Sequence, residues 1–341
     1  MRKVVIVANS SHGGGAENAM MLLLQIFKKQ GVEALFIAIN DMESGPEFTE
    51  ENVLFIGRKW STGFLRTLEC LRSFKKVLKS LEPSVVIVNC ELPELFVAFT
   101  RRSKSKLIIV EHTSKPWEGR RILGFIIRSI LRIKQSTWVT VNSKQLTIWP
   151  FGQPATYIPN PIAPVVKDGE VLSDSEVAFV GRLRKEKCPE LVILACQQAM
   201  VSLKLFGEGN QGLELKNRYG TSSTIDFKGY LENPWRHISS NSLVVVASEY
   251  EGDGLVVLEA IQNGNGILLR DNKDFRRFNL ADEHYFIDKD SLVSKLMAFK
   301  DNGRRFKVSE SEQGILLGPR SPQIVGKKWV SLIDGSFEST R

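Results

Sequence analysis

The sequence predicts an α/β protein with two domains, each built on a parallel sheet that helices cover on both faces. Short runs rich in Val and Ile alternate with helical segments along the 341 residues. These runs are continuously apolar, which is typical of strands that are buried on both faces. One stretch with several prolines, 157–175, interrupts the alternation and is expected to link the two domains.

Each half contains six predicted strands with helices between them. In the first half we expect strands at 3–8, 34–39, 53–57, 85–89, 107–111 and 137–142, and helices at 16–30, 64–81, 93–101 and 119–134. In the second half we expect strands at 176–181, 202–207, 224–229, 243–248, 267–270 and 284–287, and helices at 189–200, 211–219, 254–264, 290–301 and 321–335. The predicted domains are therefore 1–160 and 161–320, followed by a C-terminal segment at 321–341.

Composition and charge restrict the class of protein. The four cysteines form neither a C-x-x-C pair nor a zinc-site spacing, which indicates reduced thiols in a cytosolic protein. The sequence start does not resemble a signal peptide, and no apolar window is long enough to span a bilayer. Residues 1–165 carry 22 Lys and Arg against 13 Asp and Glu, whereas residues 166–341 carry 24 against 25. The basic first half is expected to meet phospholipid, nucleic acid or a phosphorylated substrate.

The clearest candidate site lies at 251–260 (EGDGLVVLEA), where a predicted strand ends and a helix begins near Leu255. Ligands of parallel sheets bind beyond the carboxyl ends of the strands. Backbone N–H groups of Gly254, Leu255 and Val256 at the helix start can hold a diphosphate. The carboxylates of Glu251 and Glu259 can accept hydrogen bonds from sugar and ribose hydroxyls. From spacing alone, the alternative is two solvated carboxylates near a helix N-terminus.

Three further candidates also follow strands. At 181–187 (GRLRKEK), Arg182 and Lys187 can stabilise phosphate charge that grows as a diphosphate departs, or they belong to a solvated basic loop. Gly14 and Gly15 follow the first strand and allow close backbone approach to a ligand, or form a tight turn. His112 follows the strand at 107–111 and is either a ligand contact or a packed histidine.

These patterns together resemble glycosyltransferase family 4, which has the GT-B fold of two Rossmann-like domains facing a central cleft. The family pattern S-x-x-E-G-F-G-L-x-x-x-E-A is similar to 248–260 (SEYEGDGLVVLEA), and G-R-L-x-x-E-K-G is similar to 181–188 (GRLRKEKC). The resemblance spans about residues 1–335 and is dense at 176–265. It implies a retaining enzyme with a nucleotide-diphosphate sugar as co-substrate, and a terminal helix that crosses back onto the first domain.

The resemblance also implies residue roles. Glu251 and His112 would contact the donor sugar, Glu259 the ribose, and Arg182 and Lys187 the diphosphate. Gly14 and Gly15 would line the cleft near the acceptor and the donor phosphate. Further implied contacts come from a G-x-G turn and from a segment that borders the base; these residues are Glu208, Lys228, Gly229 and Tyr230.

Some positions depart from the family pattern. Asp253 replaces the usual aromatic residue, Cys188 and Pro189 replace the usual Gly after Lys187, and 264–266 (GNG) replaces the usual G-x-P turn. A carboxylate beside a diphosphate is unfavourable unless it points away or binds an acceptor group. The D-x-D triplet at 288–290 precedes a helix, so we expect Asp290 to cap that helix and do not expect a metal site.

Two basic amphipathic segments predict a membrane surface. In 119–134 the apolar residues Ile122, Phe125, Ile126, Ile130 and Ile133 share one helical face. Basic residues flank that face, and 64–79 repeats the arrangement with Phe64, Leu68, Leu71 and Phe74. Core-packed helices with solvated basic faces are the alternative. Two such segments in one basic domain favour binding to anionic lipid. The flanking basic residues of the first segment are Arg120, Arg121, Arg128, Arg132 and Lys134.

The predicted function is retaining transfer of a sugar, from UDP in preference to GDP, to a hydroxyl of a lipid-linked oligosaccharide. We expect this reaction in cell-surface polysaccharide or lipopolysaccharide synthesis, at the cytoplasmic face of the inner membrane. No cofactor, metal or nucleic acid is expected. The alternatives are a GT-B sugar-nucleotide epimerase, a basic nucleic-acid-binding protein and an inactive sugar-nucleotide-binding relative.

Overall fold

A computed structural model describes residues 2–11, 13–40, 52–59, 63–100, 104–113, 115–163, 176–302 and 305–336. The chain divides into two compact units. The first comprises Met1–Pro161 and Arg320–Arg341, and the second comprises Ile162–Pro319. Most of the proline-containing stretch at 157–175 lies outside the described residues.

The first unit is built on a parallel sheet with the order β3-β2-β1-β4-β5-β6-β9. β7 and β8 form a short antiparallel pair beside it. Its strands are β1 (Lys3–Ala8), β2 (Glu33–Asn40), β3 (Val53–Arg58), β4 (Val85–Asn89), β5 (Lys106–Glu111), β6 (Thr137–Thr140), β7 (Thr147–Ile148), β8 (Gln153–Pro154) and β9 (Thr156–Tyr157). Its first four helices are α1 (Gly15–Lys29), α2 (Phe64–Leu81), α3 (Glu91–Ala98) and α4 (Arg121–Ile133).

The second unit repeats this architecture around a six-stranded parallel sheet with the order β12-β11-β10-β13-β14-β15. Its strands are β10 (Val177–Val180), β11 (Leu203–Phe206), β12 (Ile225–Gly229), β13 (Leu243–Val246), β14 (Gly266–Arg270) and β15 (Tyr285–Phe286). Its helices are α5 (Pro189–Ala199), α6 (Gly212–Tyr219), α7 (Leu255–Gln262), α8 (Lys273–Arg276), α9 (Lys289–Asp301) and α10 (Glu310–Leu317).

The predicted fold class, two α/β domains with parallel sheets, is confirmed. In both units the strand order reverses beside the first strand, between β1 and β4 and between β10 and β13. Such a reversal opens a crevice outside the carboxyl ends of the two strands, where ligands of parallel sheets bind. These switch points identify the edge of each sheet where functional residues are expected.

The C-terminal helix α11 (Pro322–Asp334) belongs to the first unit. Trp329 packs edge-on against Phe27 of α1, with ring centroids 6.5 Å apart. A β-carbon at Gly326 would lie 2.6 Å from the side chain of Ile26, so the absence of a side chain at Gly326 lets α11 approach α1 closely. Among the described residues, no helix combines the length and the apolar character needed to cross a membrane.

Two sequence expectations are corrected by the fold. The cap of α9 is Asp288 rather than Asp290, because the Asp288 side chain accepts a hydrogen bond from the Ser291 N–H in a capping box. The apolar face of α2 is not a lipid-facing surface: Leu71 and Phe74 are buried in the core of the first unit. Leu68 is half-buried, and the side chain of Phe64 lies outside what the structure describes.

Candidate active site

The candidate site of the second unit lies at the carboxyl ends of its parallel strands. The loops that follow β10, β11 and β12 are joined by backbone hydrogen bonds. The Gly181 N–H donates to the Phe206 carbonyl at 2.9 Å, and the Gly207 N–H donates to the Gly229 carbonyl at 2.7 Å. The Leu183 N–H donates to the Glu208 carbonyl at 2.9 Å. The three loops at this edge of the sheet are therefore joined to one another through their backbones.

Glycine is required at two positions of these loops because a side chain there would collide with a neighbouring loop. A β-carbon at Gly207 would lie 2.0 Å from the carbonyl oxygen of Gly181, and one at Gly209 would lie 2.3 Å from that of Leu183. The G-x-G turn predicted to contact the donor therefore serves first to let two loops pack together. Glu208, between the two glycines, is exposed, and its carboxylate lies next to Gly229.

Lys187 and Glu251 form an ion pair across the loops that follow β10 and β13. Glu251 also accepts a hydrogen bond at 3.3 Å from the Ser248 hydroxyl, and the Glu249 N–H donates to the Glu186 carbonyl at 2.8 Å. The lysine predicted to meet phosphate and the glutamate predicted to meet sugar thus lie in contact. Arg182 is exposed on the same edge.

Three residues that the sequence analysis missed hold the turn after β13. They lie at 272–277, between β14 and β15, which we call the 272–277 segment. Asp274 accepts a hydrogen bond at 2.9 Å from the Glu251 N–H, and Asn272 donates at 3.0 Å to the Ser248 carbonyl. Arg277 donates to the Gly252 carbonyl. Asn is a favoured helix N-cap, and this signal could have identified Asn272, which directly precedes α8.

Helix α7 begins at Leu255, as the sequence predicts. Gly254 caps it in the left-handed conformation with φ +67°, and a β-carbon there would lie 3.0 Å from the ring of Phe278. The N–H groups of Leu255 and Val256 are in the first turn, where a helix supplies no acceptor of its own. Asp253, the departure from the family pattern, is buried.

Glu259 lies within α7 and faces Trp235, whose indole Nε1 donates to its carboxylate at 3.1 Å. Burial raises the pKa of Glu259 to about 7, and the bond from Trp235 opposes that rise. Trp235 was not among the residues predicted from the sequence. A carboxylate that has one fixed donor can still accept a hydrogen bond from a ribose hydroxyl.

The residues predicted to border the base lie on the outer strand of the sheet. Lys228 is exposed and forms an ion pair at 2.6 Å with Asp226 of the same strand. Gly229 ends β12 with φ +70°, and Tyr230 is exposed next to it. Within the described contacts, neither side chain is joined to the pair formed by Lys187 and Glu251.

In the first unit, the predicted site residues lie at the ends of β1 and β5. Gly14 caps α1, which begins at Gly15. His112 follows β5, and its Nδ1 lies 3.5 Å from the side-chain nitrogen of the buried Asn160. Asn160 belongs to the proline-containing stretch, so this stretch contacts the predicted histidine.

A buried charge cluster includes Glu111, the residue before His112, and Arg128, which was predicted to flank a membrane-binding face. Arg128, with 1% of its side chain exposed, contacts Glu94 and Glu111, each at 2.7 Å. It also donates to the Trp149 carbonyl at 2.9 Å. Burial raises the pKa of Glu111 to about 7, while Arg128 lowers it and Glu94 raises it. Arg128 is therefore a core residue, because two carboxylates neutralise it inside the unit.

The remainder of α4 presents an apolar surface. Ile122, Phe125, Ile126 and Ile133 are 82%, 49%, 50% and 73% exposed, whereas Ile130 is half-buried. The opposite side of the helix is buried in the unit. Arg120, Arg121 and Arg132 are exposed beside the apolar residues, and Lys134 instead donates to the Val97 and Thr100 carbonyls.

Comparisons with known proteins agree with this architecture. Residues 166–304, within the second unit, match the family model for glycosyl transferases group 1. The matched range contains Arg182, Lys187, Glu251 and Glu259. No protein in a curated set matched the sequence.

Solved structures with the GT-B fold superimpose on nearly the whole chain. HepE from Anabaena, in complex with UDP and glucose, has a TM-score of 0.80 at 16% identity, covering 98% of this chain and 100% of that one. A TarM variant from S. aureus, in complex with UDP and alpha-GlcNAc-glycerol, has a TM-score of 0.75 at 12% identity, with the same coverage. The pneumococcal O-GlcNAc transferase GtfA, in complex with UDP and GlcNAc, has a TM-score of 0.73 at 13% identity, covering 98% and 99%. At these identities the likeness concerns the fold.

Proposed function

We propose that this protein is a glycosyltransferase that takes a hexose from a UDP-sugar. The observation that carries the proposal is the position of the ion pair between Lys187 and Glu251 beside the start of α7. A cation, a carboxylate and the backbone N–H groups of a first helical turn at one switch point suit a phosphorylated sugar. The family match covers this same region, and the structural relatives described above contain UDP.

In the proposed reaction, the bond between the sugar and the diphosphate breaks, and negative charge grows on the departing nucleotide. Lys187, the exposed Arg182 and the N–H groups of Leu255 and Val256 stabilise that charge. Fixed donors are effective here because they need no reorganisation when the charge develops. Glu259 holds the ribose hydroxyls beside Trp235.

Donor binding exchanges the partners of the ion pair. Phosphate oxygens replace the carboxylate as the partner of the Lys187 ammonium group, and sugar hydroxyls donate hydrogen bonds to the carboxylate of Glu251. Each charged group keeps a partner of suitable chemistry, so the exchange avoids leaving a half-buried charge alone. The ion pair therefore holds both side chains ready at the site.

The stereochemistry and acceptor belong to the proposal as well. We infer transfer with retention of configuration, in which the acceptor hydroxyl attacks from the face that the diphosphate leaves. A donor phosphate oxygen takes the hydroxyl proton. The proposed acceptor is a lipid-linked oligosaccharide in cell-surface polysaccharide synthesis, and the exposed apolar face of α4 with its arginines supports a position on an anionic membrane.

A ligand screen with matched lysine variants tests the donor site. UDP-sugars should raise the melting temperature more than GDP-sugars, because a ligand that binds the native state stabilises it. Lys187→Ala should reduce that shift and lower turnover by roughly a hundredfold, since one lost transition-state donor costs about that factor. Lys185→Ala, which removes an exposed lysine from the same turn, is the control and should resemble the unmodified protein. Equal behaviour of the two variants would remove Lys187 from the site.

The same assay separates transfer from epimerisation. A glycosyltransferase consumes the UDP-sugar only when an acceptor is present, apart from slow hydrolysis. Conversion of the sugar without acceptor would instead support an epimerase, and binding without any turnover would support an inactive relative.

A further inference from the structure

Asp274 is a buried carboxylate that lies against the backbone of Glu251. Only 7% of the residue is exposed, and its Oδ2 accepts the Glu251 N–H at 2.9 Å. A hydrogen bond to an ionised acceptor is shorter and stronger than one between neutral groups. The bond joins α8 to the turn after β13, so it fixes the main chain from which the Glu251 side chain projects.

Asn272 orients both partners of that bond. Its side-chain oxygen accepts the N–H groups of Asp274 and Phe275 at 2.9 and 3.1 Å, which caps α8. Its side-chain nitrogen donates to the carbonyls of Ser248 and Glu249 at 3.0 and 3.4 Å. The 272–277 segment thus holds the 248–252 turn on both sides of Glu251, while Lys187 holds the Glu251 carboxylate.

We propose that Asp274 is a positioning residue that holds Glu251 in the orientation in which it meets the sugar of the donor. The inference rests on the proposed function for the identity of the ligand. Its physical basis is the sensitivity of catalysis to placement, since a displacement of about 1 Å can cost about a hundredfold in rate. Without Asp274, the Glu251 N–H loses its acceptor and the turn gains freedom at the point that carries the carboxylate.

The proposal is tested with Asp274→Ala, Asp274→Asn and the control Asp271→Ala. Asn has a side chain of the same length as Asp and keeps an acceptor oxygen. Asp271 instead forms an ion pair with Arg276 and takes no part in the hydrogen bond to Glu251. Affinities for UDP and for the most stabilising UDP-sugar of the screen are measured on each variant. We expect Asp274→Ala to weaken UDP-sugar binding and turnover about tenfold with UDP binding unchanged, and Asp274→Asn to restore both to within about threefold.

A double-mutant cycle with Glu251→Ala makes the test specific. If Asp274 acts through Glu251, the double variant should be no worse than Glu251→Ala, because residues that act as one unit are not additive. If the losses of activity in the two single variants instead multiply in the double variant, the two residues act independently and the proposal is overturned. Equal losses of UDP and UDP-sugar affinity would also overturn it, since they would indicate a general structural role.

Amide hydrogen exchange gives a readout that needs no ligand. In Asp274→Ala, the peptide containing 249–252 should exchange faster than in the unmodified protein, and Asp274→Asn should stay close to it. Unchanged exchange would show that Asp274 does not hold the turn. If exchange changes as expected but no UDP-sugar binds the unmodified protein, the proposed function fails, and the role of Asp274 in donor binding fails with it.

Discussion

The buried cluster of Glu94, Arg128 and Glu111 carries two carboxylates and one guanidinium. Glu94 is the more firmly held of the two carboxylates, because it receives two hydrogen bonds from Arg128 and one from the Trp117 indole. Burial acts to lower the pKa of Arg128, but the two carboxylates hold this pKa above its usual value. Removing one partner from a buried ion pair costs about 3–5 kcal/mol, so Glu94→Gln should destabilise the first unit by an amount of this order.

Glu111 should make stability depend on pH. Its pKa is raised to about 7 from 4.5 by burial, so the folded state binds more protons than the unfolded state between these values. The contribution to stability is complete below about pH 4.5 and is lost as pH rises through 7. Glu111→Gln removes this titration, so its stability relative to the unmodified protein should improve from pH 6 to pH 8. Denaturant unfolding at both pH values measures the difference, and parallel pH dependences would contradict it.

At the scale of elements, glycine substitutions distinguish a packing requirement from a helix weakness. Gly207→Ala places a β-carbon on the Gly181 carbonyl oxygen at φ +137°, and we expect a loss of about 3 kcal/mol or more. Gly314 lies inside α10, and a β-carbon there would meet no atom outside the helix backbone within 4 Å, so Gly314→Ala should instead stabilise by about 1 kcal/mol. Thermal and denaturant unfolding measure both. A tolerated Gly207→Ala would contradict the packing of the two loops.

How far the elements follow from the sequence depends on their length and on their apolar character. The helix α10, which has eight residues and none of them buried, was not predicted. The twelve predicted strands are all present, because buried parallel strands are continuous apolar runs that stand out from their surroundings. β7, β8 and β9 have two residues each, and α8 has four, so no hydrophobic period could identify them. The missed α8 belongs to the 272–277 segment, so the residues that hold Glu251 were missed with it.

The helices α2 and α4 show why the faces of a helix are harder to predict than its extent. Both sequences combine apolar and basic residues with helical spacing. α2 buries Leu71 and Phe74 of the predicted face in the core, whereas α4 buries Gly124, Ile127, Arg128 and Leu131 and exposes most of its predicted face. The buried stripe of α4 contains an arginine, whose charge the carboxylates of α3 and β5 neutralise. That compensation depends on tertiary contacts rather than on the helix sequence.

The sequence was enough to predict which edge of the sheet carries the candidate site, but not which of its residues contact one another. Parallel strands place whatever follows them at one side of a sheet, so Arg182, Lys187 and Glu251 could be assigned to the same side of the second unit. The ion pair between Lys187 and Glu251 joins residues 64 positions apart. Its formation depends on the turn at Lys185–Lys187 and on the hydrogen bond between Glu249 and Glu186.

At the scale of the whole molecule, the chain passes between the two units twice, near 161 and near 320. Its excess positive charge lies in the first unit, with an apolar surface on α4 in the same unit. Apolar insertion and attraction of basic residues to anionic lipid reinforce each other, since neither alone gives firm binding. The two contributions can be separated by substitution because they involve different side chains.

The membrane proposal therefore predicts two distinct losses in vesicle binding. Phe125→Ser with Ile126→Ser removes apolar insertion worth about 1.5–3 kcal/mol for each fully buried side chain, so binding should fall at least tenfold at any ionic strength. Arg120→Gln with Arg121→Gln removes about 1 kcal/mol each, a loss that should disappear in high salt because screening already weakens the attraction. Co-sedimentation with phosphatidylcholine vesicles, with and without phosphatidylserine, measures both. Leu213→Ser, an exposed apolar residue of the second unit, is the control and should bind normally. Equal binding by all variants would exclude α4 as the membrane-facing surface.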